Sequence, residues 1–84
     1  MSVEMYKKRL IDLRARLDRE KEAKKRDNER YADLIKRASS TSTKASYRKS
    51  KVDHAASHDR AIESIKREID HTKESLAREK ARKK

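Results

Sequence analysis

Apolar side chains recur along the first part of the chain at spacings of three and four. Val3, Tyr6, Leu10, Leu13 and Leu17 come first, and after a polar interval Tyr31, Leu34 and Ala38 resume the same phase. That alternation is the a/d seam of a helix covered along one narrow face by another helix. In the second part Ala55, Ile62, Ile65, Ile69 and Leu76 keep one register, with His58 and Thr72 at intervening seam positions. Acidic residues four places before basic ones add local support, as in Asp12/Arg16, Glu20/Lys24, Glu22/Arg26, Asp33/Arg37, Glu63/Arg67 and Glu74/Arg78; each such pair contributes about 0.2–0.5 kcal/mol to a helix. With no glycine and no proline in the chain, the usual breakers are missing. The pattern predicts helices over 3–38 and 43–82.

Between them lies Ser39-Ser40-Thr41-Ser42-Thr43. Hydroxyl side chains compete for backbone hydrogen bonds inside a helix and favour its N-cap instead. Lys36 and Arg37 just before them suit the negative end of a helix macrodipole. A turn over 39–43 is therefore expected in preference to one rod of about 126 Å, although no glycine offers a left-handed cap. Residues 1–84 then form a single all-α unit, an antiparallel two-helix hairpin of coiled-coil type that is expected to assemble into a four-helix bundle or larger oligomer.

Folding at that joint makes partner positions sum to roughly 82, one full register of the a/d seam. Tyr6 then meets Leu76, Leu13 meets Ile69, Leu17 meets Ile65, Glu20 meets Ile62, and Tyr31 lies near Val52. The predicted intramolecular seam is Val3, Tyr6, Leu10, Leu13, Leu17, Tyr31, Leu34, Ile62, Ile65, Ile69 and Leu76. Glu20, Lys24 and Asp27 fall opposite His54, Ala55, His58 and Asp59, which gives the hairpin a polar waist between two apolar ends. Polar seam residues fix register at a cost in stability.

Composition narrows the function. With 32% hydrophobic, 4% aromatic and 49% charged residues, an 84-residue chain cannot enclose a catalytic core, so an enzyme is not expected. Cysteine is absent, which removes disulfides and thiolate metal sites. The opening MSVEMYKKRL lacks the apolar core of a secretion signal, and no run approaches the ~20 apolar residues of a membrane span; a cytoplasmic protein without a membrane partner is expected.

His54 and His58, spaced i, i+4 with Asp53 and Asp59 beside them, could supply two ligands of one metal. Ala55 stands where a zincin helix carries Glu, and no third strong ligand is evident, so polar seam padding or pH sensing is the simpler reading, and neither metal nor cofactor is assigned. The formal net charge is +11, and the chain ends in the basic run REKARKK. On the heptads, Lys7, Arg14 and Lys21 of the first helix and Lys66, Lys73 and Lys80 of the second all occupy e positions, which share one flank of an antiparallel pair. The other flank is mixed, with Arg9 and Arg16 able to reach Glu74 and Glu68. The basic flank calls for an acidic neighbour, either phosphate or the acidic back of another hairpin, unless the lysine stems merely cover the seam with their ammonium groups in water. Met5, Ile11, Ala15 and Ala77, with Ala81, lie outside a/d near the open end and form the candidate self-association surface, since a lone thin hairpin is marginally stable.

The opening MSVEMYKKRLIDLRARL, the joint ASSTSTKASYRKS and the helix IESIKREIDHTKESLAREK together resemble the N-terminal coiled-coil hairpin that precedes the Toll/interleukin-receptor-type (TIR) domain in bacterial signalling and phage-defence proteins. The resemblance spans nearly the whole chain. It implies a module that holds subunits together so that a C-terminal TIR domain can assemble; no TIR motif occurs in this chain, so no catalytic residue is carried over. The expected function is oligomerisation or scaffolding, with the chain itself as partner. The alternative is a small basic helical protein that binds nucleic acid, another polyanion or an acidic protein surface.

Overall fold

The computed structural model describes residues 2–82; Met1 and the last two residues of the basic tail, Lys83 and Lys84, lie outside the described residues. Two helices account for nearly all of it: α1, Val3–Arg37, and α2, Thr41–Arg82. They pack antiparallel along their length, in a body of 67 × 14 × 12 Å. A single rod of this chain would extend about 126 Å; the hairpin is the fold.

The termini of α1 follow its sequence. Ser2 is the N-cap, its Oγ accepting from the Met5 N–H at 3.2 Å, with Glu4 in the first turn and Lys36 and Arg37 in the last, each charge placed against the opposite pole of the macrodipole. The helix ends without a left-handed residue. Ala38 takes an extended conformation, ψ 136°, while its N–H still donates to the Leu34 carbonyl at 3.0 Å, and no described residue has positive φ. An extended exit needs no glycine, which reconciles a sharp reversal with a glycine-free chain.

The connection is shorter than the hydroxyl run suggested. It occupies residues 38–40, and α2 begins at Thr41. Ser40 caps α2: its Oγ accepts from the Thr43 N–H at 3.1 Å and donates to Thr43 Oγ1 at 2.7 Å, and its carbonyl accepts from Lys44 N–H at 3.1 Å. Thr41, Ser42 and Thr43 therefore form the first helical turn. The reason is that the residues after an N-cap have backbone N–H groups with no helical acceptor in any case, so hydroxyl side chains cost little there.

The core is thin. Leu10, Leu13, Ile65 and Ile69 form its centre, with Leu17 and Leu76 packed against them, and Leu13, 1% exposed, is the most completely buried. Val3, Tyr6, Leu34 and Ile62 are half-buried along the same seam, and Tyr31 is buried nearer the joint. Thr72, at a seam position in α2, is 3% exposed and satisfies its hydroxyl by donating to the Glu68 carbonyl one turn back at 2.7 Å. That back-bond makes a polar side chain tolerable in an apolar layer. Of the i, i+4 pairs, Asp33–Arg37 closes at 3.1 Å, whereas Glu20 is drawn away from Lys24 to the opposite helix.

Candidate functional site

The middle of the seam is a polar cluster spanning both helices. Glu20 and Asp27 are seven residues apart on α1, hence on one face about 10 Å apart along the axis. His58 of α2 lies between them. Its Nδ1 is 2.6 Å from Glu20 Oε1 and its Nε2 is 2.6 Å from Asp27 Oδ2. Ionised carboxylates can only accept, so both contacts require that the ring donate from both nitrogens, as imidazolium does. The hydrogen bond from Asp27, then the one from Glu20, hold the His58 ring above the ordinary histidine value, against the opposing effect of burial. The same His58 contact holds the Asp27 carboxyl below its usual range.

Neighbouring side chains complete the cluster. Lys24 Nζ reaches Asp59 Oδ1 at 2.6 Å, and Arg30 lies 3.6 Å from Asp27. His54 approaches Asp27 with Nδ1 at 3.5 Å and places Nε2 3.2 Å from the Tyr31 hydroxyl. The Tyr31 and His54 rings meet edge to face at 5.1 Å. With His58 protonated, the cations Lys24, Arg30 and His58 balance the anions Glu20, Asp27 and Asp59, and no buried side-chain N or O among the described residues lacks a partner. Pairing and hydrogen bonding are what make charges acceptable in a seam. Among the described residues no group of three or more His, Asp or Glu side chains is arranged to hold a metal ion.

Near the joint Tyr31 packs on His54, and Val52, which the register sets near Tyr31, points outward, 66% exposed. Arg9 reaches Glu68 at 3.5 Å, not Glu74, and Arg16 forms no ion pair with Glu68. The Arg9–Glu68 contact joins g positions of the two helices and so sets the flank register: on the opposite side Lys7 faces Lys80, Arg14 faces Lys73 and Lys21 faces Lys66. All six of these e-position side chains are exposed, and Lys7 alone of the six has a carboxylate within 4.0 Å, Glu4. The same register places Ile35 opposite Val52 at the joint end of that flank, an apolar pair at e positions that otherwise carry mostly charge.

Met5 and Ala15 line a groove of about 520 Å³ with Lys8, Arg9, Arg16 and Arg19. Ile11, four residues before Ala15 and so its neighbour on the surface of α1, lies with Ala77 at b positions toward the lysine flank, and both are exposed. A second groove, about 340 Å³, continues from the first across the helix pair, between Arg16 and Arg19 of α1 and Ala61, Ser64 and Glu68 of α2.

Among the described residues no helix is long and apolar enough to cross a membrane. The architecture defines the protein as an antiparallel helical hairpin with a charged waist. No protein-family model, curated protein or solved structure matches the chain.

Proposed function

We propose that the hairpin is a self-assembly module that pairs two copies through the flank bearing Ile11, Ala77, Ile35 and Val52. The observation that carries this reading is the exposure of Ile11 and Val52, each 66%, at opposite ends of one flank. A two-fold axis near the middle of that flank lays the open end of one copy on the joint end of the other, so that Ile11 and Ala77 meet Val52 and Ile35 twice over. The lysines between them then come beside Asp18, Glu63 and Asp70 of the second copy, which relieves the repulsion between facing cations. The need is physical. Leu10, Leu13, Tyr31, Ile65 and Ile69 are the buried apolar residues among those described, and so small a core is seldom sufficient without a partner. In this reading the chain serves as the N-terminal assembly segment of a larger bacterial signalling or defence protein, acts in the cytoplasm, and has no catalytic role of its own.

The test uses the absence of cysteine. In one hairpin, residues 11 and 52 are separated by about 28 Å along the axis, far beyond the ~7 Å Cα limit for a disulfide. An Ile11→Cys/Val52→Cys variant should therefore oxidise to a covalent dimer, and the wild type should sediment at no less than twice 9.9 kDa at tens of micromolar. Ile11→Asp should dissociate it with helicity retained, since a charge is costly in an apolar contact. A folded wild type that remains monomeric would refute the proposal.

A further inference from the structure

Arginine predominates on one flank of this molecule and lysine on the other, with Arg14 the exception on the lysine flank. On the outer side of the flank set by the Arg9–Glu68 contact, the g and c positions of α1 carry Arg9, Arg16, Arg19, Arg26, Arg30 and Arg37 and no lysine, and all six are exposed. Ser57, Ala61, Ser64 and Ser75 supply small or hydroxylated side chains at the facing positions of α2, which also carry Glu68, His71 and Arg78. The two connected grooves already described open on this side, and Arg16 and Arg19 line both. The carboxylates here are Asp12 in the first groove, Glu20 and Glu68 in the second, and Asp33 farther along the row, with Glu20 held by His58. Glu68 engages Arg9 and Asp33 engages Arg37, while Arg30 turns to Asp27. Arg16, Arg19 and Arg26 form no ion pair among the described residues.

We infer that this arginine-lined groove binds the phosphate backbone of double-stranded nucleic acid without reading its sequence. The charge match comes first: the row from Arg9 to Arg37 runs straight for about 42 Å, more than one ~34 Å turn of duplex. Duplex DNA presents one negative charge per ~1.7 Å of axis. Residue type comes second. A guanidinium fork meets two phosphate oxygens at once and sheds water more readily than an ammonium, and serine hydroxyls across the groove add donors of the kind that contact phosphate. The small side chains of Ala61 and Ser64 leave room for the strand to approach. Single strands are the poorer fit, because they are held by aromatic stacking platforms, and the chain has Tyr6, Tyr31 and Tyr47 as its entire aromatic content, with the first two in the seam. The site lies on the side away from the proposed self-contact, so duplex binding and assembly are independent.

The experiment is fluorescence anisotropy of a labelled mixed-sequence DNA duplex of about two helical turns, titrated with the whole chain from 50 to 200 mM salt. Each phosphate contact contributes about −0.9 to the slope of log K against log salt. Arg16→Gln/Arg19→Gln/Arg26→Gln should flatten that slope by about 2.7 and weaken binding at least tenfold at the lowest salt. Removal of the same charge from the lysine flank, Lys21→Gln/Lys66→Gln/Lys73→Gln, should change the slope by less than about 1. Single Arg19→Gln, expected to flatten the slope by about 0.9, replaces the triple if far-ultraviolet circular dichroism shows lost helix. Ile11→Asp should bind as wild type does. Absence of duplex binding, equal effects of the two triples, or displacement by polyglutamate at equal charge concentration each overturns the inference.

Discussion

Replacing Leu13 by Ala tests the packing at its most sensitive point. Leu13 is 1% exposed and sits among Leu10, Ile65 and Ile69. The substitution deletes three carbons, worth about 2.4 kcal/mol at ~0.8 kcal/mol per buried methylene. A cavity term adds to this wherever the surroundings cannot close over the gap. A hairpin only 14 × 12 Å across can relax toward the gap more easily than the centre of a globular domain. The loss should therefore fall in the lower half of the 2–5 kcal/mol span known for such changes, about 2.5–3.5 kcal/mol. For a chain of this size, whose total stability is of the order of 4–13 kcal/mol, that is a large fraction. Urea unfolding followed by circular dichroism at 222 nm, at fixed protein concentration, measures it from the shift in midpoint at constant slope. Ile69→Ala should behave alike, and Met5→Ala, on the exposed surface, should stay within about 0.5 kcal/mol. A Leu13→Ala loss below about 1 kcal/mol, or one equal to that of Met5→Ala, would show that the helices do not pack in this register.

Two further outcomes follow from the waist and the joint. Because the folded His58 titrates above its unfolded value of about 6.5, its contribution is complete below that pH and disappears as pH rises through the folded value; Asp27, depressed, contributes above about pH 4 and loses its contribution as pH falls. Thermal unfolding midpoints should accordingly be highest near pH 5–6 and decline toward pH 8, and His58→Gln should remove the decline; an unchanged decline in that variant would assign it elsewhere. Ser40→Ala removes the N-cap acceptor of α2 and should cost about 1 kcal/mol in the same urea assay, with Ser39→Ala near neutral, and a reversed order would place the cap at the wrong residue.

Much of the architecture is local and could be read without coordinates. The three-four spacing of Leu10, Leu13 and Leu17, and of Ile62, Ile65 and Ile69, follows from the pitch of the helix, so the positions that face inward are decided by periodicity alone. The reversal could be placed within a few residues because hydroxyl side chains favour caps over helix interiors. Its narrowing to residues 38–40 depended on the extended exit at Ala38 and on which hydroxyl, Ser40, turned back to the Thr43 N–H, and these are dihedral choices that composition does not specify. The opposition of Glu20 and Asp27 to His54 and His58 was likewise legible from the register. What required the tertiary structure was the use made of it: His58 bridges both carboxylates, Lys24 crosses to Asp59, Tyr31 takes His54, and Val52 is left outside. Long charged side chains reach several partners within one register, so Arg9 takes Glu68 in place of Glu74 without disturbing a single seam position. The predominance of arginine on one flank and of lysine on the other has the same origin: the sequence holds every residue of both rows, but only the packed pair, by choosing which flank closes over Glu68, makes each row a surface.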